Sequence, residues 1–159
     1  MYLTTVPAGN GLPIQQDKQM VLCAVNTDGQ IERQTVFEKG LIPEPFTTVI
    51  IGDKLIVGFQ TAIGIYDKNS FKELARIPVE TKCTFAIPHG NEVLVFTQRN
   101  LYVIDVATGK ILDKAPLPIA ICGPEKDPHG MEVHSATFDE AGNLYFSQHG
   151  ELFRLSTKA

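Results

Sequence analysis

Apolar positions in this chain come in short runs rich in Val, Ile, Phe, Tyr and Thr, and turn residues interrupt them every few positions. No long stretch holds the three-and-four spacing of an amphipathic helix, so the pattern predicts strand after strand. Asp28-Gly29, Gly52-Asp53, Lys68-Asn69-Ser70, Gly90-Asn91, Ala107-Thr108-Gly109 and Glu140-Ala141-Gly142-Asn143 each divide two candidate strands. Gly and Asn supply the positive φ that tight hairpins require. The chain therefore reads as hairpins in series.

These hairpins repeat. Gly52-Asp53-Lys54-Leu55-Ile56-Val57-Gly58-Phe59 aligns without a gap on Gly90-Asn91-Glu92-Val93-Leu94-Val95-Phe96-Thr97, and the same offset matches Gln60 to Gln98, Ile65-Tyr66-Asp67 to Val103-Ile104-Asp105, Lys72 to Lys110 and Pro78 to Pro116. A third copy starts at Gly142 and runs through Gln148-His149-Gly150 to Leu155, with a one-residue adjustment on either side. A unit of about 40 residues carrying four short strands is the repeat of a β-propeller blade. The expected strands are 46–51, 54–59, 62–67 and 71–77, then 83–88, 92–97, 100–105 and 110–115, then 132–138, 143–147 and 151–155. The last copy lacks a fourth strand, and the N-terminal segment offers 20–25 and 30–37, one of which is expected to supply it by pairing across the ends and so remove an exposed edge. The expected fold class is all-β: a propeller or propeller arc of about 3–4 four-stranded antiparallel blades over residues 20–159, preceded by an arm or loop over residues 1–19.

Leu101-Tyr102-Val103-Ile104-Asp105-Val106-Ala107-Thr108-Gly109-Lys110 resembles the signature of quinoprotein-like and YVTN-type propeller repeats. Pro128-His129-Gly130, running on to Phe138-Asp139-Glu140-Ala141-Gly142-Asn143-Leu144-Tyr145, is similar to NHL-type repeats. The resemblance covers roughly residues 46–155 and implies a fold more than a function. Quinoprotein repeats place a Trp about four residues after that Gly, whereas Asp113 stands here and the chain has no Trp, so no quinone or other cofactor is expected.

Closed propellers have about four to eight blades, more than two complete copies and a third closed by the chain ends provide. An arc standing alone would show water two apolar sheet faces. One expectation is that two chains complete a six-bladed ring, or that a different chain completes the arc. The other is a four-bladed monomer whose first blade is built from residues 1–45.

The formal net charge is −4 and the pI near 5.5, without the basic stripe that a nucleic-acid partner would need. The N-terminal residues lack a basic region followed by a sustained apolar one, and no apolar run approaches the roughly 20 residues of a membrane span. No membrane partner is expected, and the expected location is the cytoplasm or an assembly formed there. Cys23, Cys83 and Cys122 lie far apart, form no CxxC pair and leave an odd count, so they read as reduced thiols, with Cys23 and Cys83 buried in strands.

Two groups of residues are candidates for a site. Gln60, Gln98 and Gln148 fall at one repeat position beside Thr61, Arg99 and His149, a set that would line one rim as a polar binding surface. The second and third copies are separated by an insertion, residues 117–134, that holds Cys122, Asp127, His129 and His134, with Glu125 and Glu132 among them; long insertions are where function concentrates. Its spacing matches no metal-ligand code, and no metal or catalytic residue is assigned. GxSxG, GxxxxGK[ST] and GxGxxG are all absent. The expected function is a non-enzymatic structural or protein-interaction module that associates with itself or with a larger assembly such as a virion or scaffold. The alternative is a small hydrolase-like or lactonase-like propeller enzyme using a metal site centred on His129, His134 and His149.

Overall fold

The runs 54–58 and 92–96 are apolar at almost every position, where a sheet with one wet face would alternate. The computed structural model, which describes residues 1–5, 19–118 and 132–155, shows why: these strands are covered on both sides. Among the described residues there are fourteen strands in four antiparallel sheets, and no helix long and apolar enough to cross a membrane.

The first sheet is β1 (Tyr2–Thr4), β2 (Val21–Val25) and β3 (Ile31–Val36), in that order. The second runs β4 (Val49–Ile51), β5 (Lys54–Gly58), β6 (Ala62–Asp67) and β7 (Glu73–Pro78). The third repeats it as β8 (Cys83–His89), β9 (Glu92–Thr97), β10 (Asn100–Asp105) and β11 (Lys110–Pro116), and the fourth holds β12 (Ser135–Phe138), β13 (Leu144–Gln148) and β14 (Glu151–Leu155). The all-β architecture of antiparallel sheets in series is thus the one expected, with four strands in the second and third sheets and three described strands in the first and fourth.

Three cores join the sheets in chain order. Leu55 and Val57 meet Leu22, Ala24 and Phe37 of the first sheet. The intervening Ile56 points the other way and meets Val93 and Val95 of the third, with Ile63, Ile65 and Ile104. Leu94 and Phe96 then meet Leu144 and Phe146 of the fourth. Each fully buried side chain of this kind is worth about 1.5–3 kcal/mol relative to leaving it in water. No core among the described residues joins the first sheet to the fourth, so the four sheets form an arc.

Two expectations are corrected. The N-terminal strands do not complete the third copy: β2 pairs with both β1 and β3, making a sheet of their own, because Leu22 and Ala24 cover the face that Leu55 and Val57 present. Nor are residues 1–19 wholly an arm, since Tyr2–Thr4 is a strand of that sheet and the Met1 ammonium donates to the Val25 carbonyl at 2.8 Å; residues 6–18 lie outside the described residues. Three strands, β4, β7 and β12, also begin two or three residues later than expected. Phe46 and Phe71 both take φ 60 in the turns before β4 and β7, which breaks the extended backbone there.

The turns are held by side chains. The Asp67 carboxylate accepts the Ser70 backbone N–H at 2.7 Å and its hydroxyl at 2.8 Å, and Asp105 accepts both donors of Thr108 at 2.6 Å. Asp139 accepts the backbone N–H and side-chain amide of Asn143, each at 2.8 Å. These hydrogen bonds hold all three carboxyls below their ordinary value of 3.8. A depressed folded-state value stabilises above the unfolded value and is lost as pH falls through the folded one. The urea midpoint of the protein is therefore expected to fall as pH drops below about 4, and the triple variant Asp67→Ala, Asp105→Ala, Asp139→Ala to show a flatter acid limb.

Close packing gives a second test. A Cβ at Gly58 would lie 2.7 Å from the Cβ atoms of both Cys83 and Thr47. Gly58→Ala is expected to cost about 1–3 kcal/mol through overpacking, read as a lower thermal midpoint; an unchanged midpoint would show that β5 and the chain around it yield.

Candidate functional site

In the second and third sheets antiparallel succession puts the turn between the second and third strands at the same end as the connection into the next sheet. Backbone hydrogen bonds tie the two together: Gln60 donates to Ile42 at 3.1 Å, Val79 to Thr61 at 3.0 Å, Gln98 to Lys82 at 3.2 Å and Leu117 to Arg99 at 2.8 Å. The candidate rim and the end of the insertion therefore share one surface.

Its centre is Glu132, which is only 8% exposed. The carboxylate pairs with the Lys82 ammonium and accepts the Gln98 side-chain amide at 3.4 Å, both on Oε1, and the exposed His134 Nε2 lies 4.0 Å from Oε2. A buried carboxylate needs this company, because an ion moved out of water without a partner costs several kcal/mol. Glu44 stands nearby. Burial pushes its carboxyl above the ordinary range, the Gln60 hydrogen bond and the Lys82 charge oppose that, and Glu132 adds to it. Lys82 is thus the cation shared by two carboxylates, one from the connection before β4 and one from that before β12.

The structure brings Gln98 and His134 to one carboxylate and sets Gln60 on the next. Thr61 and Arg99 are exposed beside them. Gln148 departs from the expected ring of three glutamines. It is the last residue of β13 and 1% exposed, as are Phe59 and Thr97 at the equivalent strand positions. His149, with φ 52, occupies the turn position of Gln60 and Gln98. The turns 60–61, 98–99 and 149–150 are each two residues long, so Gln148 matches Gln60 and Gln98 in residue type but falls one position before the turn, inside the strand. Cys122, Asp127 and His129 lie outside the described residues. Glu44 and Lys82 escape sequence reasoning because they sit on connections that keep no constant offset between repeats.

Chemically, the surface offers paired charges, amides and an exposed imidazole. Among the described residues no three His, Cys, Asp or Glu side chains gather into a group that would hold a metal ion. Cys83, beneath the rim, has its thiol pushed up to about 12 by burial, which leaves it a packing residue. At the opposite end a cleft of about 330 Å³ opens between the turns of the second and third sheets, lined by Ile51, Val106 and Ala107, with Asp53 paired to Lys54 at 3.0 Å.

No protein-family model and no curated protein sequence matches the chain. Solved structures do. BamB from Moraxella catarrhalis superposes with a TM-score of 0.63 at 13% identity over 85% of this chain and 40% of its own. The WD40 β-propeller domain of Doa1 gives 0.60 at 10% identity over 95% of this chain and 48% of its own. Sqt1 from Saccharomyces cerevisiae gives 0.58 at 11% identity over 89% and 39%. The chain spans less than half the length of each, and at these identities the likeness shows the fold alone, which is β-propeller-like.

Lys82→Met keeps the packing of the side-chain stem and leaves Glu132 buried without its cation. The expected loss is roughly 1–3 kcal/mol, below that for a fully buried pair because Lys82 keeps 26% of its side chain exposed. Thermal unfolding should show it, and adding Glu132→Gln should recover part of it in a double-mutant cycle. Additive losses would show that the two residues are not coupled.

Proposed function

We propose that the chain is a non-enzymatic protein-interaction module, a propeller arc that binds through its surfaces and assembles with copies of itself or within a larger complex in the cytoplasm. The observation that supports this most is that the arc's terminal sheets each keep one face outside the three cores. Leu3, Ile31 and Val36 on the first sheet and Leu152 on the fourth are 43%, 59%, 55% and 74% exposed. Exposed apolar side chains clustered on the outer side of a sheet mark an interaction surface. The rim supplies polar recognition: Gln60, Gln98 and His134 meet a carboxylate–lysine network whose own charges are already paired, and Arg99 and His149 stand in the turns 98–99 and 149–150, an arrangement that suits hydrogen bonding to a partner backbone better than acid–base chemistry. The solved structures that share the fold include a WD40 propeller domain, and a surface-binding role is consistent with that architecture.

The test is the solution mass of the full chain by light scattering across a range of concentrations. Association should raise the mass above the 17.5 kDa of one chain as concentration rises. A mass of 17.5 kDa at every concentration would overturn self-assembly.

A further inference from the structure

The fourth sheet stops one strand short on its outer side. In the second and third sheets β7 pairs with β6 and β11 with β10, while β14, which takes the place of β6 and β10, is the last described strand of its sheet. The ladder to the outer strand starts at the turn, where Val79 donates to Thr61 and Leu117 to Arg99, and continues through every second residue, Ile63 and Ile65 or Leu101 and Val103. The matching residues of β14 are Leu152 and Arg154, whose backbone groups point out of the sheet with no strand beside them among the described residues. Exposure follows: every residue of β14 but Phe153 is exposed, whereas β6 is buried from Ala62 to Tyr66. The outer edges of β7 and β11 are guarded, each by a bulge, at Leu74 and Leu112, and by a final proline, Pro78 and Pro116. β14 has no proline, and its register against β13 runs unbroken from Glu151 to Leu155.

The slot beside β14 also has a chemical character. In each interior sheet the outer strand sets a cation opposite the third residue of the third strand, pointing at the preceding sheet. Arg76 opposite Gly64 reaches Glu38 at 2.6 Å, and Lys114 opposite Tyr102 reaches Glu80 at 2.7 Å. In the fourth sheet that position is opposite Phe153, which faces the third sheet. Beneath it lies β11, whose Asp113 pairs with Val103 and so turns toward the fourth sheet, at the place Ala75 holds in β7. Asp113 is exposed and forms no ion pair among the described residues. Lys110, the cation on the same side of β11, stands opposite Asp105, and Glu151 adds a second carboxylate at the rim end of β14.

We infer that the open edge of β14 is a docking site for one extended segment of a partner chain, added as a fourth strand with a Lys or Arg at its centre facing Asp113. Main-chain hydrogen bonds to Leu152 and Arg154 hold such a strand, and its inward side chain selects it. The carboxylates of Asp113 and Glu151 supply for that side chain what Glu38 and Glu80 supply for Arg76 and Lys114. A single strand suits the slot, because β11 already fills the layer below it; the β14 edge of a second copy would bring its own third sheet into that layer.

This inference rests on the reading of the chain as an interaction module, and its test separates the two. The probe is a dye-labelled peptide of residues 71–80, the β7 segment, which would set Arg76 opposite Phe153; its binding to the full chain is followed by fluorescence anisotropy. Saturable binding is expected. Leu152→Pro removes an outward N–H and should abolish it, with thermal unfolding to confirm that the chain stays folded. Asp113→Lys leaves β14 untouched and should weaken binding about fivefold at low salt and less at high salt. The same peptide carrying Arg76→Glu should show the opposite preference. If Leu152→Pro unfolds the chain, Asp113→Lys and the peptide swap decide alone. Binding that these changes leave unaltered lies elsewhere on the molecule, which overturns the inference and leaves the interaction reading standing. Absence of binding overturns the inference, and the solution mass then judges that reading by itself. Self-association that Leu152→Pro abolishes makes a second copy the occupant and overturns the inference as well.

Discussion

Burial of both faces of the two interior sheets is the constraint from which the rest follows. Ile56 sits between Leu55 and Val57 yet belongs to a different core, and Leu94 is divided from Val93 and Val95 in the same way. A strand built like this has no side to give to water. It is stable only with an apolar layer on each flank, so the second and third sheets require the first and fourth. That requirement explains why β2 and β3 stay beside β5 and do not cross to the edge of β14. Closing one edge would repair a single ladder of backbone hydrogen bonds, whereas leaving Leu55, Val57 and Phe59 uncovered would expose a whole core.

Stacking in chain order also fixes where polar chemistry gathers. The second and third sheets repeat the same antiparallel succession, so the turns after their second strands and the connections into the next sheet fall at one end. Glu132 is carried there by the segment that leads into β12 and meets Lys82 from the segment that leads into β8. The pair ties together two connections that share no hydrogen-bonded ladder. Buried ion pairs are poor sources of net stability, and their use is more often to fix a geometry; here the geometry is that of the insertion's end against the rim.

Much of this was legible from residues alone, for a reason that also explains the rest. The second and third sheets are local: their hairpins are adjacent in sequence, their turns carry Gly or Asp at recurring places, and one offset aligns them. The first sheet is not local. β1 reaches β2 across residues 6–18 and is three residues long, too short to show an alternating pattern. Strand starts at Phe46 and Phe71 were misread because positive φ at an aromatic residue leaves no trace in hydrophobic patterning. At the rim, Gln60 and Gln98 were found through the repeat. Gln148 matches them in residue type but sits one position earlier, inside β13, where residue type alone does not mark the difference, and the network of Glu44, Lys82 and Glu132 forms between segments with no common register.

The terminal sheets must hold on with less. Each has three described strands where the interior sheets have four, so fewer positions cover the same neighbouring face. Larger side chains make up the difference. The core between the first and second sheets holds Phe37 against Phe59 at 5.0 Å and Tyr66 at 5.8 Å, with Tyr2 against Phe71 at 6.1 Å. The core with the fourth sheet holds Phe96 against Phe146 at 5.2 Å and Phe146 against Phe153 at 5.5 Å. The core between the two four-stranded sheets is built of Ile and Val with Tyr102 as its aromatic ring. An aromatic side chain buries about 150–250 Å², so a few of them restore the area that a missing strand would have supplied. Polar ties work in the same direction: Arg33 lies 5.5 Å from the centre of the Phe71 ring, Arg76 bridges Glu38 and Glu73, and His89 stacks on Phe138 at 4.5 Å. In a stack stabilised layer by layer, the ends would otherwise be the first to open. The distribution of rings along this chain places its largest apolar contacts at the two junctions that have the fewest strands to share them.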